Sequence, residues 1–441
     1  MIQFNFFLQI FLAVFLLRSA AQIYLNRLNI SCLRRHGKTV PEILRDTLGP
    51  EKLKKISDYT AESENFGTIT NLLNQGVFLA VLLSGFLPWL VRTISRWDYG
   101  LMGSGLIFFA VLSMMTHLLR IPFGLYETFV IEERYGFNVM NFKIWISDLL
   151  KSLVIATILG GLLLGLLLAL VIYGGEAWWV WAWVGVGGFE FILLWLFPVL
   201  ILPLFNKFDP IDNKGLEDRI GSLMGKVGIR PKGIFRIDAS KRSKHTNAFF
   251  VGMGRTKRIV LYDTLLASHS EEEILAVLAH EAGHWKKKHI LRMLVPLEIL
   301  SFVSFYAVDK LLHWPLLYET FGFQEPVVYV GLFLVGAFFS LMGYFAQPLE
   351  SAISRKFERE ADRFALELMG SGEPMRSALK RLAVDNLANL SPHPVYAWFY
   401  YSHPPLLERM ERLSQPAGSK QIAEGRRFNK KKEKKHGSQS I

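Results

Sequence analysis

Seven long apolar stretches constrain this 441-residue chain more than any other feature. A helix needs about 20 mostly apolar residues to cross a bilayer. Stretches of that kind occupy residues 4–25, 68–91, 99–119, 152–173, 178–204, 290–309 and 327–347. Hydrophobic residues make up 51% of the chain and charged residues only 20%, which excludes a disordered chain or a set of water-soluble domains. The sequence therefore predicts a mainly α, polytopic membrane protein with seven transmembrane helices.

The first stretch has the length of a signal-peptide core at residues 6–17, and the small residues 19–21 that follow resemble a cleavage site. However, no basic residue precedes the core, and removing this span would place the most basic loops outside the cell. We therefore interpret it as a retained transmembrane helix.

The basic residues of the short loops predict the orientation. Loops 26–65 and 120–147 together carry eleven Lys and Arg, whereas the alternate loops carry three, namely Arg92, Arg96 and Lys310. The positive-inside rule then places the N-terminus outside and the C-terminus in the cytoplasm, together with the polar regions 206–289 and beyond 348. The net charge of +12 is explained by residues that flank spans, so no nucleic-acid partner is expected.

Several spans contain polar residues that lipid would not accommodate. Four of them share one helical face of the second stretch: Thr70, Asn71, Asn74 and Gln75. Others lie inside or near the ends of further spans: His117, Glu190 and Glu298. Such residues either form hydrogen bonds between helices or line a water-filled cavity. We favour a chamber enclosed by the seven helices.

A small cytoplasmic α+β unit is predicted between residues 206 and 289. It has a helix over 216–227, a strand at Gly233–Ile237, and a hairpin of strands 247–251 and Arg258–Tyr262 that turns at residues 252–254. The helix that follows opens at Ser270 with Glu273 three residues later, which is a capping box.

The predicted organisation has five parts. Residues 1–205 form transmembrane helices 1–5 with their loops, 206–289 the α+β domain, and 290–348 helices 6 and 7. Residues 349–425 complete the α+β domain, and 426–441 form a basic disordered tail.

His280, Glu281 and His284 form an HExxH motif on the capped helix. Histidines four residues apart project from one helical face, where both imidazoles can bind a single Zn²⁺. The intervening Glu281 can take a proton from a zinc-bound water. The only cysteine, Cys32, excludes a Cys-ligated cluster and an intramolecular disulfide framework.

A catalytic zinc site uses three protein ligands, so one ligand is still required. Glu358 and Asp362, four residues apart in a predicted helix over 354–364, are candidates, one to coordinate and one to orient an imidazole. The alternative is a solvated charged face, since Arg355 and Arg359 lie beside them. Their position favours a role in the site, because this helix follows the seventh span and the HExxH helix precedes the neighbouring sixth.

Six separated motifs make the sequence resemble the type I CAAX prenyl proteases, which are intramembrane zinc metallopeptidases with seven spans enclosing a hydrated chamber. The motifs are HEAGH at 280–284, EREAD at 358–362, SKHTNAFF at 243–250, YSHPPLLER at 401–409, FVIEERYGFN at 129–138 and PLFNKF at 203–208. The resemblance covers nearly the whole chain.

This resemblance implies that His280, His284 and Glu358 bind one Zn²⁺ per chain and that Glu281 is the general base. It further implies that Asp362 contacts a zinc-binding histidine, that His403 and Arg409 bind the substrate backbone or the transition-state oxyanion, and that Asn247 contacts substrate beside an edge strand. Without the resemblance, a histidine followed by two prolines would be interpreted as a turn residue.

The favoured function is an endopeptidase that acts on membrane-associated peptides. Its substrates are expected to be prenylated CAAX-type peptides or, as an alternative, membrane proteins cleaved for quality control without prenyl specificity. A seven-span receptor or transporter would not need the zinc-binding residues, and a catalytically silent scaffold would not need Glu281. The C-terminal residues contain no endoplasmic-reticulum retention signal, which favours the bacterial inner membrane.

Overall fold

The computed structural model describes residues 2–252 and 258–414. Seven of the helices in these ranges are long and apolar enough to cross a membrane, which confirms the predicted number. The helices are α1 (Phe6–His36), α2 (Pro50–Leu83), α3 (Phe86–Ser95), α4 (Gly100–Tyr126), α5 (Glu133–Tyr135), α6 (Phe142–Tyr173), α7 (Trp178–Leu196), α8 (Leu202–Phe205), α9 (Lys214–Lys226), α10 (Asp263–Ser268), α11 (Glu271–Lys286), α12 (His289–Leu312), α13 (Pro315–Thr320), α14 (Val328–Met369), α15 (Glu373–Asp385), α16 (Pro394–Tyr400) and α17 (Leu406–Leu413). The strands are β1 (Phe208–Pro210), β2 (Gly233–Ile237), β3 (Ala248–Val251) and β4 (Arg258–Tyr262).

The membrane bundle consists of α1, α2, α4, α6, α7, α12 and α14. Its largest buried cluster joins Phe11 and Phe15 of α1 to Phe108 of α4 and Tyr329 of α14. Helix α1 therefore packs as an integral part of the bundle. Turns of π-helix extend α4 through Glu127–Glu132 and extend α7 through Phe197–Ile201.

The second apolar stretch, residues 68–91, is not a single helix. Helix α2 ends at Leu83, and α3 starts at Phe86. Between them Gly85 has a φ of 79°, in the left-handed region that glycine tolerates and other residues disfavour. The prediction of one continuous segment was wrong because apolar composition continues across this backbone break.

The seventh span and the predicted helix over 354–364 are parts of one 42-residue helix, α14. Pro348 lies inside it. A proline in a helix interior removes one hydrogen bond and introduces a local clash, but α14 continues through it. Glu358 and Asp362 therefore lie on the same helix as the seventh span, beyond its apolar part.

The small sheet has the strand order β1-β2-β4-β3. Strands β2 and β4 are parallel, and β3 pairs antiparallel with β4 in the register Ala248↔Leu261, as the predicted hairpin requires. The hairpin residues 253–257 lie outside the described ranges. Strand β1 was not predicted, because three residues that include a proline give no alternating pattern. The sheet packs through Ile259 and Leu261 against Ile274 and Leu278 of α11.

The predicted capping box opens α11. The Ser270 hydroxyl accepts a hydrogen bond from the Glu273 backbone N–H at 3.4 Å, and Glu273 Oε2 accepts one from the Ser270 N–H at 2.7 Å. This cap fixes the start of the helix that carries the HExxH motif.

Two adjoining cavities of about 470 and 410 Å³ lie among the helices. Gln22, Asn71 and Tyr400 line both cavities, and Asn74 and Gln75 line the second. The polar face predicted on the second span therefore borders an internal chamber.

The same face also makes contacts between helices. The Gln75 amide donates to Gln22 Oε1 at 2.9 Å, and its oxygen accepts from Ser19. Thr70 lines neither cavity, and its buried hydroxyl has no hydrogen-bond partner within the described ranges. Both interpretations of the polar face thus apply, and Gln75 fits both of them. The predicted tail, residues 426–441, lies outside the described residues, and the five-part domain division stays a prediction.

Candidate metal centre

Helices α11 and α14 bring three potential metal ligands together. His284 Nε2 lies 3.1 Å from His280 Nε2 and 3.1 Å from Glu358 Oε1. Glu358 Oε2 lies 3.4 Å from His280 Nε2. The two histidines are one helical turn apart on α11, and Glu358 faces them from α14. The spacing predicted from the sequence therefore produces a compact group of nitrogen and oxygen donors.

This group has the chemistry of a zinc site. One donor atom from each of the three residues lies within 4.8 Å of the others, and two imidazoles with one carboxylate form a donor set that catalytic zinc sites use. Glu358 Oε2 is buried and accepts no hydrogen bond from any residue that the structure describes. A buried carboxylate oxygen without a partner is costly, and a cation between the three residues would remove that cost.

Asp362 and Arg409 fix the orientation of His280. Asp362 Oδ1 lies 2.8 Å from His280 Nδ1, so Nδ1–H donates to the carboxylate and the Nε2 lone pair faces Glu358. Arg409 donates two hydrogen bonds to Asp362, at 2.6 and 2.9 Å. Burial opposes a charge on His280, but its contacts with Asp362 and Glu358 outweigh burial and raise the pKa of His280 to about 9. The two carboxylates therefore make the surroundings of His280 electronegative.

Glu281 projects from α11 between the two histidines. Its carboxylate forms no hydrogen bond or ion pair with any residue in 2–252 or 258–414. Burial raises the pKa of Glu281, while the neighbouring histidines act in the opposite direction. A carboxylate that is free of protein partners and has a raised pKa can accept a proton from water and release it again.

His403 reaches the same site from the loop before α17. Its Nε2 lies 3.4 Å from Glu358 Oε1, its side chain is 61% exposed, and Ser402 Oγ lies 2.9 Å from its Nδ1. Arg409, by contrast, is only 7% exposed, and its guanidinium is engaged with Asp362. Of these two residues, His403 is the one with surface available to a substrate.

Asn247 lies outside this network. It is exposed at the beginning of β3, where its side-chain oxygen accepts a hydrogen bond from Ala248 N–H at 2.8 Å. Strand β3 is the last strand in the sheet order, so its outer edge is unpaired within the described sheet. This edge can pair with an extended peptide.

The sequence interpretation missed His289 and Glu360. His289 Nδ1 lies 3.0 Å from His284 Nδ1, and His289 Nε2 lies 3.1 Å from Glu360 Oε2. His289 is the first residue of a membrane helix, and Glu360 lies in a run of charged residues. A signal was available, because His289 follows His284 by five residues and can return to the same helical face across a tight junction.

Comparison with known proteins assigns the family. Residues 210–417 match the model of peptidase family M48, and residues 29–207 match the CAAX prenyl protease N-terminal model, described as five membrane helices. The chain belongs to the M48 family of CAAX prenyl proteases. This M48 chain is therefore a multi-pass membrane zinc metalloprotease, and the receptor, transporter and scaffold alternatives are not supported.

Similar M48 proteases come from several kingdoms. The CAAX prenyl protease 1 homologue of Arabidopsis thaliana is 32% identical, over 89% of this chain and 94% of the relative. CAAX prenyl protease 1 of Saccharomyces cerevisiae is 34% identical, over 85% and 88%. The crystal structure of S. mikatae Ste24p matches with a TM-score of 0.86 and 32% identity, over 91% of this chain and 98% of that one. The similarity thus extends across both the membrane helices and the peptidase region.

Proposed function

We propose that this M48 protease binds one Zn²⁺ through His280, His284 and Glu358 and hydrolyses peptide bonds with Glu281 as general base. The observation that carries the proposal is the convergence of the three donor groups around a buried carboxylate oxygen that has no hydrogen-bond partner. Three protein ligands leave a further coordination position for the reaction, as catalytic zinc sites require.

When bound, zinc supplies a Lewis acid that polarises the scissile carbonyl and lowers the pKa of water. Glu281 accepts a proton from the attacking water and delivers it to the leaving nitrogen. Within residues 2–252 and 258–414 its carboxylate has no hydrogen-bond or ion-pair partner, which supports this role. His403 donates a hydrogen bond to the oxyanion that develops on the carbonyl oxygen, and its exposure beside Glu358 supports this assignment.

Asp362 keeps the His280 proton on Nδ1, so that Nε2 remains available as a ligand. Arg409 is less directly available to a substrate than His403, because its Nε and Nη2 donate hydrogen bonds to Asp362. Its Nη1 lies 3.7 Å from Glu358 Oε2. The binding of substrate or oxyanion by Arg409 stays a prediction, and its contacts favour an action through Asp362.

The substrate class is proposed to be membrane-associated peptides with a prenylated CAAX-type C-terminus. The names of the relatives support prenylated substrates, and the internal cavities provide space for a peptide inside the bundle. Tyr401 lines the larger cavity and lies two residues before His403 in the sequence, which supports a substrate path from that cavity to the metal centre. Asn247 is proposed to contact the peptide where it pairs with β3.

The unpaired edge of β3 also supports a second candidate, membrane-protein quality control without prenyl specificity. Pairing between strands uses backbone groups and imposes little sequence preference. Such a protease would cleave unprenylated membrane-associated chains as efficiently as prenylated ones. The two candidates therefore differ in a measurable quantity, the ratio of kcat/KM for prenylated and unprenylated peptides.

We further propose that the N-terminus lies outside and that the peptidase region and C-terminus lie in the cytoplasm. The excess of Lys and Arg in loops 26–65 and 120–147 supports this orientation. Reporter fusions at both termini test it, and an external C-terminus would reverse the whole topology. The bacterial inner membrane, rather than the endoplasmic reticulum, stays a prediction about the compartment.

The central experiment measures zinc content and peptide cleavage in the same preparations. The wild-type protein should contain about one zinc per chain, and His284→Ala should lose it. Glu281→Gln should retain both zinc and fold but lose peptide hydrolysis, because an amide cannot accept the proton. Undiminished zinc in His284→Ala, or wild-type turnover by zinc-loaded Glu281→Gln, would overturn the assignment. A prenylated CAAX peptide and its unprenylated counterpart then separate the two substrate classes.

A further inference from the structure

His289 connects a proposed zinc ligand to a carboxylate on another helix. On one side, its Nδ1 lies 3.0 Å from Nδ1 of His284. On the other side, its Nε2 lies 3.1 Å from Oε2 of Glu360. Each ring nitrogen of His289 thus faces one polar partner, in a line from α14 through α12 to α11.

The chemistry of these partners determines where the protons reside. Nε2 of His284 faces the other ligands, so it must offer a lone pair to a metal, and the proton of the neutral ring is then on Nδ1. That Nδ1–H can donate only to an acceptor, which is Nδ1 of His289. The proton of His289 is then on Nε2, where the Glu360 carboxylate accepts it. Only this arrangement satisfies both hydrogen bonds and leaves the ligand nitrogen of His284 free.

The surrounding structure holds His289 in place. The side chain is 3% exposed, and its ring stacks on Phe357 with the ring centroids 4.4 Å apart and the planes 6° from parallel. Arg292 donates to Glu360 at 2.6 Å and lies 4.6 Å from the centroid of the Phe357 ring. Phe357 fixes the plane of the His289 ring, and Arg292 holds Glu360 in place. His289 therefore has little freedom to turn away from His284.

The junction between α11 and α12 brings His289 back to the site. Helix α11 ends at Lys286, and α12 begins at His289 after only two intervening residues. Lys288 has a φ of 55° and a ψ of 40°, a left-handed conformation that is unfavourable for a residue with a side chain. The chain retains this strained residue at the position that directs His289 toward the metal centre, as is common near functional sites.

We propose that His289 is a positioning residue that, with Glu360, fixes the tautomer and the ring orientation of His284 for zinc binding. This inference rests on the proposed function, since it assumes that His284 is a zinc ligand. It gives His284 a counterpart to the contact that Asp362 makes with His280. Loss of an outer hydrogen-bond partner of this kind typically lowers metal affinity by about 10–100-fold.

The test measures zinc affinity of the full-length protein in detergent by competition with a chelator. His289→Leu removes the acceptor for His284 Nδ1–H and should weaken zinc binding by about 10–100-fold. His289→Asn offers an amide oxygen near the position of Nδ1 and should remain within about threefold of the wild-type protein. The matched control is His269→Leu, which replaces another buried histidine of the peptidase region and should leave zinc affinity unchanged.

Two further variants keep the test decisive if His289→Leu does not fold. Glu360→Gln retains an oxygen that accepts the His289 proton, whereas Glu360→Leu removes it, so only Glu360→Leu should weaken zinc binding. The inference is overturned if the Leu variants bind zinc like the wild-type protein, or if Asn at 289 is as defective as Leu. In either case, zinc binding by the wild-type protein and its loss in His284→Ala would still uphold the proposed function.

Discussion

The two ligand-bearing helices pack closely at Gly283, within the HExxH motif. A Cβ atom at this position would lie 3.0 Å from the Cα of Ala361, 3.2 Å from its carbonyl oxygen and 3.2 Å from the Cβ of Phe364. Two of these three atoms belong to the backbone of α14, so they cannot move by a side-chain rotation. We predict that Gly283→Ala separates α11 from α14 by a few tenths of an ångström.

Two opposing effects determine the stability of Gly283→Ala. Replacing a helical glycine by alanine favours the helix by about 1 kcal/mol. Inserting a methyl group into a packed contact costs about 1–3 kcal/mol. The net effect is a destabilisation of about 0–2 kcal/mol. Zinc binding should be affected more strongly, because zinc–ligand distances tolerate shifts of only about 0.2 Å and His284 and Glu358 lie on opposite sides of the widened contact.

Gly221→Ala is the matched control for this prediction. Gly221 lies in α9, and no atom lies within 4 Å of a Cβ built at that position. This variant should gain the full helix-propensity benefit of about 1 kcal/mol and bind zinc normally. Thermal unfolding and chelator competition measure the two quantities. If Gly283→Ala is as stable as Gly221→Ala and retains zinc equally well, the close packing of α11 on α14 does not control the metal centre.

Two other predictions concern the helix cap and the chamber. Burial disfavours the Glu273 carboxylate, but hydrogen bonds from Ser377 and Ser270 and the Arg381 ion pair outweigh burial and lower its pKa. Because the folded-state pKa is the lower one, the stabilisation is present above about pH 4.3 and is lost as the pH falls through the folded-state value. Glu273→Gln should therefore lower the melting temperature more at neutral pH than in acid that protonates Glu273, and an equal effect under both conditions would refute this. Asn74→Cys, in a chain whose Cys32 is replaced by Ser, should react with a small water-soluble thiol reagent, because alkylation requires a hydrated thiolate. An unreactive cysteine would show that this part of the chamber is closed to water.

The membrane architecture could be predicted because apolar length is a local property of the sequence. Seven stretches of sufficient length correspond to seven helices. The boundaries were less predictable. Gly85 divides the second stretch through its backbone conformation, whereas α14 continues through Pro348. Composition does not contain that tertiary information.

The candidate site shows a similar contrast. His280 and His284 were predicted from the geometry of one helix. Glu358 and Asp362 were candidates from their position, but the choice of Glu358 as the ligand required the family resemblance, because this residue approaches from a second helix. The positions of His289 and Glu360 depend on the conformation of Lys288 and on how α12 packs beside α14. Such contacts are set by the tertiary fold, and the five-residue spacing from His284 to His289 is not sufficient to predict them.

The continuity of α14 gives the lipid environment a mechanical connection to catalysis. Glu358 lies 11 residues beyond the apolar stretch that ends at residue 347, which corresponds to about 16 Å along the helix axis. Helices adapt to thinner or thicker bilayers by changing their tilt. A change of about 10° would displace Glu358 by about 3 Å relative to the membrane, unless α11 and α12 move with it. We expect proteolysis to have an optimum in acyl-chain length when the protein is reconstituted in bilayers of graded thickness, so that the membrane acts as a regulator of hydrolysis as well as its location.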